Sequence, residues 1–412
     1  MDQSNKLSRR VLMSRAAALP ALAAGATSAA AFEPPSVPPW TTQQGGPFLN
    51  PPYGLPSPHE KGVVRVLPAG NNPFPTATRT PLHKLHGTIT PNGLFFERHH
   101  AGVPAIDPAQ HRLMVHGLVD RPLVLTMDDI VRFPSVSQIH FLECSGNSAA
   151  QYVNTSGKTA QQIHGLLSCA EWTGVKLSTV LAEVGVRPEG KWILAEGADG
   201  AAMTRSISMA LALEEGILAY AQNGEMLRPE QGYPLRLFLP GIEGNMSIKW
   251  LRRLKVGDAP FHTREETSKY TDLLPDGRSS QFTFLMDVKS VILTPSGGER
   301  LTPGRFIEIS GLAWTGRGRI KAVDVSVDGG RSWQTATLQT PVLSKALTRF
   351  RLPWRWDGRP LVLQSRAIDE DGYVQPTHRQ LVAARGTQYF YHYNAIQSWG
   401  VAANGEVSNV QV

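Results

Sequence analysis

The rhythm of apolar and polar positions divides this chain into two textures. Between residues 61 and 285 two periods are mixed. Gln138 to Leu142 and His111 to Gly117 read as strands. Val175, Leu177, Val180, Leu181 and Val184 recur at mostly helical spacing, and Gly185 closes that run. Ile217 to Gln222 reads as a strand entering a hairpin turn at Asn223-Gly224. Strands and helices alternate without a βαβ rhythm, which predicts an α+β domain. From 286 to 412 the texture becomes short alternating strands. Phe306 to Gly311, Ala322 to Val327, Ser332 to Ala336 and Leu361 to Ala367 are separated by turns such as Asp328-Gly329-Gly330 and Asp371-Gly372. That spacing predicts an all-β sandwich.

Two segments precede these domains. Residues 1–31 contain Ser8-Arg9-Arg10-Val11-Leu12, an alanine-rich apolar stretch and a small-residue end, Ala29-Ala30-Ala31. This predicts a twin-arginine signal peptide and hence a periplasmic protein exported already folded. Residues 32–60 hold nine prolines, from Pro34 to Pro58, and predict an extended arm.

Composition narrows the function classes. With 41% hydrophobic residues the chain can fill real cores, and no run is long and charge-free enough to predict a membrane span. The formal charge is +7, of which the first 31 residues carry +3 (Lys6, Arg9, Arg10 and Arg15 against Asp2), so the remainder is only mildly basic. No basic run with interleaved aromatics is present, which argues against a nucleic-acid partner. His83-x-x-His86 has metal-ligand spacing but lacks further ligands around it. There is no Cys-x-x-Cys-His, so no covalent c-type haem is expected in this chain.

Only two cysteines occur. Cys144 sits in Leu142-Glu143-Cys144-Ser145-Gly146-Asn147, where a strand would run into a tight turn. Such a cysteine is either a small packed residue or a soft thiolate ligand for a metal. The surrounding motifs bear on that choice. Upstream stands Ile89-Thr90-Pro91-Asn92, then Phe95-Phe96-Glu97-Arg98-His99-His100 and Val103-Pro104. Downstream come Asn223-Gly224-Glu225, Gly232-Tyr233-Pro234-Leu235-Arg236, Leu239-Pro240-Gly241, Lys249-Trp250-Leu251 and Ala322 to Gly330. This ordered set resembles the sulfite oxidase family of molybdenum enzymes over roughly residues 85 to 400.

The resemblance implies a sulfite-oxidase-like molybdopterin domain over 61–285. An immunoglobulin-like β-sandwich dimerisation domain would follow over 286–412. It implies a molybdenum-molybdopterin cofactor with Cys144 as its protein ligand to the metal. A Cys144–Cys169 disulfide, permitted in an oxidising compartment, would consume that ligand. Cofactor contacts would fall on Phe96, Arg98, His100, Asp199, Gln231, Arg236, Ser247 and Lys249. Gln231 and Ser247 stand where the family often has histidine, and His99 where it has asparagine. Arg98, Tyr270 and Arg351 would face the substrate beside Cys144.

Sulfite-oxidising relatives place an arginine five residues after the cysteine, and a basic residue before it. Here Ala149 and Ser148 stand at those positions. A charge-assisted hydrogen bond is worth roughly 1.5–3 kcal/mol, so their loss should weaken the grip on a free dianion. The expectation is therefore closest to one branch of the family, the molybdenum subunit of sulfane dehydrogenase in thiosulfate oxidation. That subunit oxidises the outer sulfur of a cysteine persulfide on a carrier protein. It passes electrons to a c-type cytochrome, as a homodimer within a heterotetramer. The alternative is a sulfite dehydrogenase catalytic subunit acting on free sulfite.

Overall fold

The structure is a computed structural model and describes residues 53–67, 74, 76–153 and 158–412. The expected signal peptide and the expected arm as far as Pro52 lie outside the described residues. Pro58–Glu60 forms a single 3-10 turn, so the last residues expected to be extended are locally coiled. No helix among the described residues is long and apolar enough to cross a membrane.

Beside two two-stranded sheets, two five-stranded ones build most of the first domain. In one, Ser135–Glu143 pairs antiparallel with Leu167–Lys176, which pairs with Ile217–Gln222; Glu225–Met226 and Arg236–Phe238 both join this last strand. The hairpin at Asn223-Gly224 forms because both residues take left-handed φ angles of 50° and 79°, which this pair tolerates. The second sheet runs Leu123–Leu125, Leu113–Gly117, Leu251–Gly257, Trp192–Gly197, Thr204–Ser208. Its pairing of Leu113–Gly117 with Leu251–Gly257 is parallel. The helix predicted from the 175–184 spacing spans Leu177–Val184 and buries Leu177, Val180, Leu181 and Val184. It ends at Gly185 with φ 64°, as a left-handed cap requires. Val175 belongs to the preceding strand, where it packs against the same core. The first sheet carries its own aromatic core: Trp172 stacks on Phe238 at 4.3 Å and meets Phe95 edge-on at 5.7 Å.

The second domain is a two-sheet β-sandwich that also carries one helix, His378–Arg385, which the all-β expectation did not include, so the chain is α+β with a β-rich C-terminal part. Its four-stranded sheet runs Lys289–Thr294, Phe306–Trp314, Thr348–Arg355, Thr337–Leu338. The other runs Gln334–Thr335, Ile320–Ser326, Leu361–Asp369, Ser398–Val401, Val407–Val410. Trp314, Trp356 and Trp399 fill its centre, all fully buried.

The two domains share one core. Phe141, Ile163, Leu167 and Cys169 of the first pack in the same cluster as Trp314, Leu312 and Trp399 of the second. Cys169 is thus a buried packing residue, and both cysteines are free thiols. At this seam Gly241, with φ 74°, lies against Gly316: a methyl group on Gly241 would come within 2.5 Å of the Gly316 carbonyl oxygen. Gly241→Ala should therefore cost roughly 2 kcal/mol or more, combining a left-handed alanine with a backbone clash. Gly224→Ala, where an added Cβ meets no atom within 4 Å, should cost about 1 kcal/mol from φ alone. Denaturant midpoints at unchanged m-value would check the contrast.

Candidate active site

The end of the Ser135–Glu143 strand delivers Cys144 to the wall of a pocket. Hydrogen bonds hold the turn around it. Cys144 N–H donates to the Leu166 carbonyl at 3.0 Å, and Asn147 N–H donates to the Cys144 carbonyl at 2.8 Å. The Asn147 side chain donates to the His164 carbonyl at 3.0 Å and accepts from Leu166 N–H at 3.2 Å. His392 N–H donates to the Ser145 carbonyl at 2.8 Å. Burial pushes the Cys144 thiol up from its ordinary range, while the Gly146 N–H and the Arg98 charge pull the other way.

The same pocket gathers Phe96, Arg98, His100, Asp199, Gln231, Arg236, Ser247, Lys249 and Tyr270. They arrive from separate elements. Arg98 ends a two-residue strand paired with Ala77–Thr78, and Asp199 follows the strand Trp192–Gly197. Gln231 closes a 3-10 turn, and Arg236 opens the strand Arg236–Phe238. Ser247 and Lys249 lie between the 3-10 turn Gly244–Met246 and the strand Leu251–Gly257.

Three cations face this space, and the hydrogen bonds drawn for them go to neutral acceptors. Arg236 is fully buried; its Nε donates to the Ser247 carbonyl at 3.2 Å and its Nη1 to the carbonyl and side-chain oxygens of Gln231 at 3.2 and 3.4 Å. Its guanidinium also sits 5.2 Å from the Trp172 ring. Arg98 Nη1 donates to the carbonyls of Thr76, at 3.4 Å, and of His99. Lys249 Nζ spends three donors on Arg98 O (3.1 Å), Glu230 O (3.0 Å) and His99 Nδ1 (2.8 Å). It thus presents charge to the pocket while its protons are held by the protein. Burial brings Arg236 down to about 9, and burial followed by the Arg236 charge pulls Lys249 well below its ordinary value. Buried cations without carboxylate partners are costly alone and are stabilised by an anion. A pterin phosphate meets that need, and the Ser247 hydroxyl, which accepts from Leu239 N–H at 3.1 Å, keeps its own proton to donate. With one soft thiol on the same wall, the donor set fits a molybdopterin cofactor held by Arg236, Lys249, Ser247 and Gln231, with Cys144 toward the metal.

His99 is a site residue that sequence reasoning treated only as a departure from pattern. Its Nδ1 accepts from Lys249, so its Nε2–H donates to Glu97 Oε2 at 2.8 Å, and Glu97 in turn binds Arg65. Burial, then the Lys249 charge, lowers its pKa to about 3. Tyr270 stands at the mouth with φ 49°, a conformation that a tyrosine holds only when its surroundings enforce it. Here Arg205 lies 4.9 Å from its ring and the Tyr391 ring packs against it at 5.0 Å, tilted by 36°. Tyr270 Oη lies 3.3 Å from His100 Nε2, and burial raises the phenol above its ordinary range.

Arg351 is not brought to this site. Along Thr348–Arg355 the even-numbered positions Thr348, Phe350 and Leu352 face the sandwich core, so strand alternation turns Arg351 outward. It is half exposed, and its guanidinium donates to Glu308 at 2.9 Å and Gln339 at 3.1 Å. Ser148 is turned away as well: its Oγ accepts from Lys289 Nζ at 3.0 Å and lies 2.6 Å from His164 Nδ1. Neither Ser148 nor Ala149 lines the pocket. His83 and His86 join no group of three metal-ligating side chains among the described residues.

Two predictions follow from this geometry. Below pH 6.5 an unfolded His99 takes up a proton that the folded protein refuses down to about pH 3, so its contribution to stability is present above 6.5 and fades as pH falls towards 3. His99→Asn in the cofactor-free protein should flatten the stability–pH slope in that window, by up to about 1.4 kcal/mol per pH unit; an unchanged slope would contradict the assignment. Arg351→Ala should change kcat/KM by less than about twofold, since it removes only a surface pair.

Comparison with known proteins agrees with the architecture. A family model for the oxidoreductase molybdopterin binding domain matches residues 100–265, and one for the Mo-co oxidoreductase dimerisation domain matches residues 280–398. The sulfane dehydrogenase SoxCD of Paracoccus pantotrophus superposes with a TM-score of 0.89 at 47% identity, covering 92% of this chain and 98% of that one. Sulfite oxidase of Gallus gallus is 33% identical over 316 residues, 70% of this chain and 68% of that protein. Mitochondrial sulfite oxidase of Homo sapiens is 33% identical over 313 residues, and this chain spans 57% of its length. With Cys144 and its cationic cradle in one pocket, and with these relatives, the chain belongs to the sulfite oxidase family of molybdopterin-binding oxidoreductases.

Proposed function

We propose that this chain is the molybdenum subunit of a periplasmic sulfane dehydrogenase. It oxidises the outer sulfur of a cysteine persulfide on a carrier protein and passes electrons to a c-type cytochrome subunit. The observation that carries this reading is the meeting of one thiol, Cys144, with the buried Arg236 and the partly buried Lys249 in a single pocket. The likeness to the sulfane dehydrogenase, which extends over 98% of that chain, supports the choice of branch.

The bound molybdenum centre would supply two-electron oxidation with oxygen drawn from water, releasing two protons for each oxygen added. The chain's own groups then divide the work. Arg236 and Lys249 neutralise the cofactor phosphate. Arg98 sets a positive charge beside Cys144 for the terminal sulfur of the substrate and the oxygens it gains. Tyr270 remains a phenol across the neutral range, because burial raises its pKa, and so acts as a hydrogen-bond donor at the mouth. Phe96, Met203 and Trp250 form apolar walls that limit water around these charges.

Pocket charge supports a carrier-bound sulfane over free sulfite. With Ser148 committed to Lys289, and Ala149 off the pocket wall, Arg98 is the pocket-lining cation whose charge acts on Cys144 among the described residues. A sulfite dianion held there would lack the further charge-assisted bonds that make such a site tight. The dimerisation-domain match supports a homodimer of this chain, to which the cytochrome subunit would add.

The test uses the enzyme purified from a host that makes the cofactor. Wild type should contain close to one molybdenum per chain and should reduce cytochrome c with a persulfidated carrier. Its KM for free sulfite should be higher than for the carrier by about tenfold or more, the equivalent of one missing pair. Cys144→Ser should fold yet lose turnover, because a hydroxyl is a hard and poorly ionised substitute for the thiolate. Cys169→Ser should stay active. Tight sulfite binding with no turnover of the carrier would instead establish a sulfite dehydrogenase. Full activity of Cys144→Ser would remove the metal assignment.

A further inference from the structure

A second polar cluster lies behind Cys144, outside the pocket and drawn from both domains. Its centre is Glu143, the residue that immediately precedes Cys144 and is 1% exposed. Glu143 Oε2 accepts from Trp314 Nε1 at 2.6 Å. Its Oε1 accepts from Lys289 Nζ at 3.1 Å and from Asn147 Nδ2 at 2.9 Å. Lys289, equally buried, donates on to Ser148 Oγ at 3.0 Å. Trp314 and Lys289 belong to paired strands of the sandwich and are register partners across them.

Residues on both sides of Cys144 are thereby tied to one ammonium from the other domain: Glu143 upstream, Ser148 downstream, with Asn147 linking the two. The backbone leaves no slack on the opposite side, because a Cβ on Gly244 would lie 2.8 Å from the Glu143 carbonyl oxygen. A buried ion pair of this kind contributes little stability that an apolar pair could not match, since its desolvation offsets its attraction. What an apolar pair lacks is direction. Hydrogen bonds of fixed geometry on both flanks of the short turn 144–147 restrict where the Cys144 side chain points.

We propose that Lys289 and Trp314, acting through Glu143, are positioning residues for the active-site thiol, so that the sandwich sets the direction of Cys144 Sγ. This inference rests on Cys144 being the metal ligand.

Trp314→Phe in the holoenzyme keeps an aromatic ring in the core and removes one N–H donor. Lys289→Met removes the ammonium, and Lys289→Met with Glu143→Gln also removes the carboxylate charge left behind. Trp314→Phe should retain molybdenum and pterin at wild-type content. It should lower kcat by about ten- to a hundredfold, the scale of a small misplacement, with KM changed by less than about twofold. Its Mo(V) electron paramagnetic resonance spectrum should shift or split into more than one species. Lys289→Met should show the same signature more strongly, and the double variant should recover thermal stability without recovering the spectrum. A lowered melting temperature with wild-type spectrum and kcat in Trp314→Phe would overturn the proposal, leaving the cluster a structural seam. If Lys289→Met fails to fold, Trp314→Phe still decides. Cys144→Ser, measured in parallel, separates the two levels of inference. An unaltered spectrum there would remove the ligand assignment and the proposal with it. An altered spectrum there, beside an unaltered one in Trp314→Phe, would remove the positioning role alone.

Discussion

Positive charge taken out of water is the constraint around which the first domain is organised. Arg236 and Lys249 are held among carbonyls, an amide and an imidazole, none of which carries a compensating charge. Such an arrangement is poorly stable alone and becomes stable with an anion bound. The neighbouring aromatic rings fit this logic. Trp172 under Arg236 and Trp250, 4.4 Å from Lys249 Nζ, offer π faces that a cation accepts without adding negative charge. Against Arg98, Arg236 and Lys249 the pocket wall sets one carboxylate, Asp199, so among the described residues the cradle keeps a net positive field for the ligand. Neutral His99 serves the same end, because it accepts from Lys249 as a carboxylate would, yet leaves the ammonium charge uncancelled.

Placing those groups falls largely to residues that never touch the pocket. Asn223 at the hairpin turn donates to the Thr90 carbonyl at 2.9 Å and to Asn92 Oδ1 at 2.8 Å. Asn92 donates to the Gln222 carbonyl at 2.9 Å and to Glu225 at 2.6 Å. This knot fixes the stretch that leads to Phe96, Arg98 and His99. Gly232 works by lacking a side chain: with φ 110°, it lets Lys249 approach so closely that a Cβ would stand 3.1 Å from the lysine Cα. On the other side of the mouth, Arg205 lies between Glu243 at 2.9 Å and Glu266 at 3.2 Å and supports the Tyr270 ring from below. Burial alone would push Glu243 up, but Arg205 and hydrogen bonds from His392 and Asn245 hold it at about 2, so the pair stays ionised.

The two textures of the chain and most of the cradle were legible from sequence. Period-2 alternation, turn dipeptides and a glycine-capped helix are local signals, and they mark the sandwich strands and Leu177–Val184 because each is set by its own neighbours. Phe96, Arg98, Arg236 and Lys249 were legible for a different reason: they sit inside ordered motifs. Arg351 failed on the local rule itself. Its strand buries Phe350 and Leu352, and alternation alone places Arg351 on the outside. What could not be read were pairings between distant positions. Nothing in Leu142-Glu143-Cys144 announces Lys289 or Trp314, which lie 146 and 171 residues further on. Arg205 likewise stands within a buried strand with no motif around it, and its partners Glu243 and Glu266 are 38 and 61 residues away.

That division has a physical origin which also bears on how the family's pockets differ. Motifs record groups that must meet the same ligand atoms, so cofactor contacts remain where a resemblance finds them. Substrate selection is a matter of net charge at the mouth, and it can be altered without touching those contacts. In this chain position 148 bears a serine whose hydroxyl accepts from Lys289, in place of a basic side chain. The ammonium that a free dianion would require beside Cys144 is thus present in the neighbourhood, yet it lies on the far side of the turn, fully buried and paired with Glu143. At a buried ion pair the field of the cation is largely cancelled by its partner, whereas an unpaired cation projects into the pocket. Lys289 therefore adds no free charge to the pocket side of the cysteine turn; at the back of the turn it joins Glu143 and Ser148 to the sandwich.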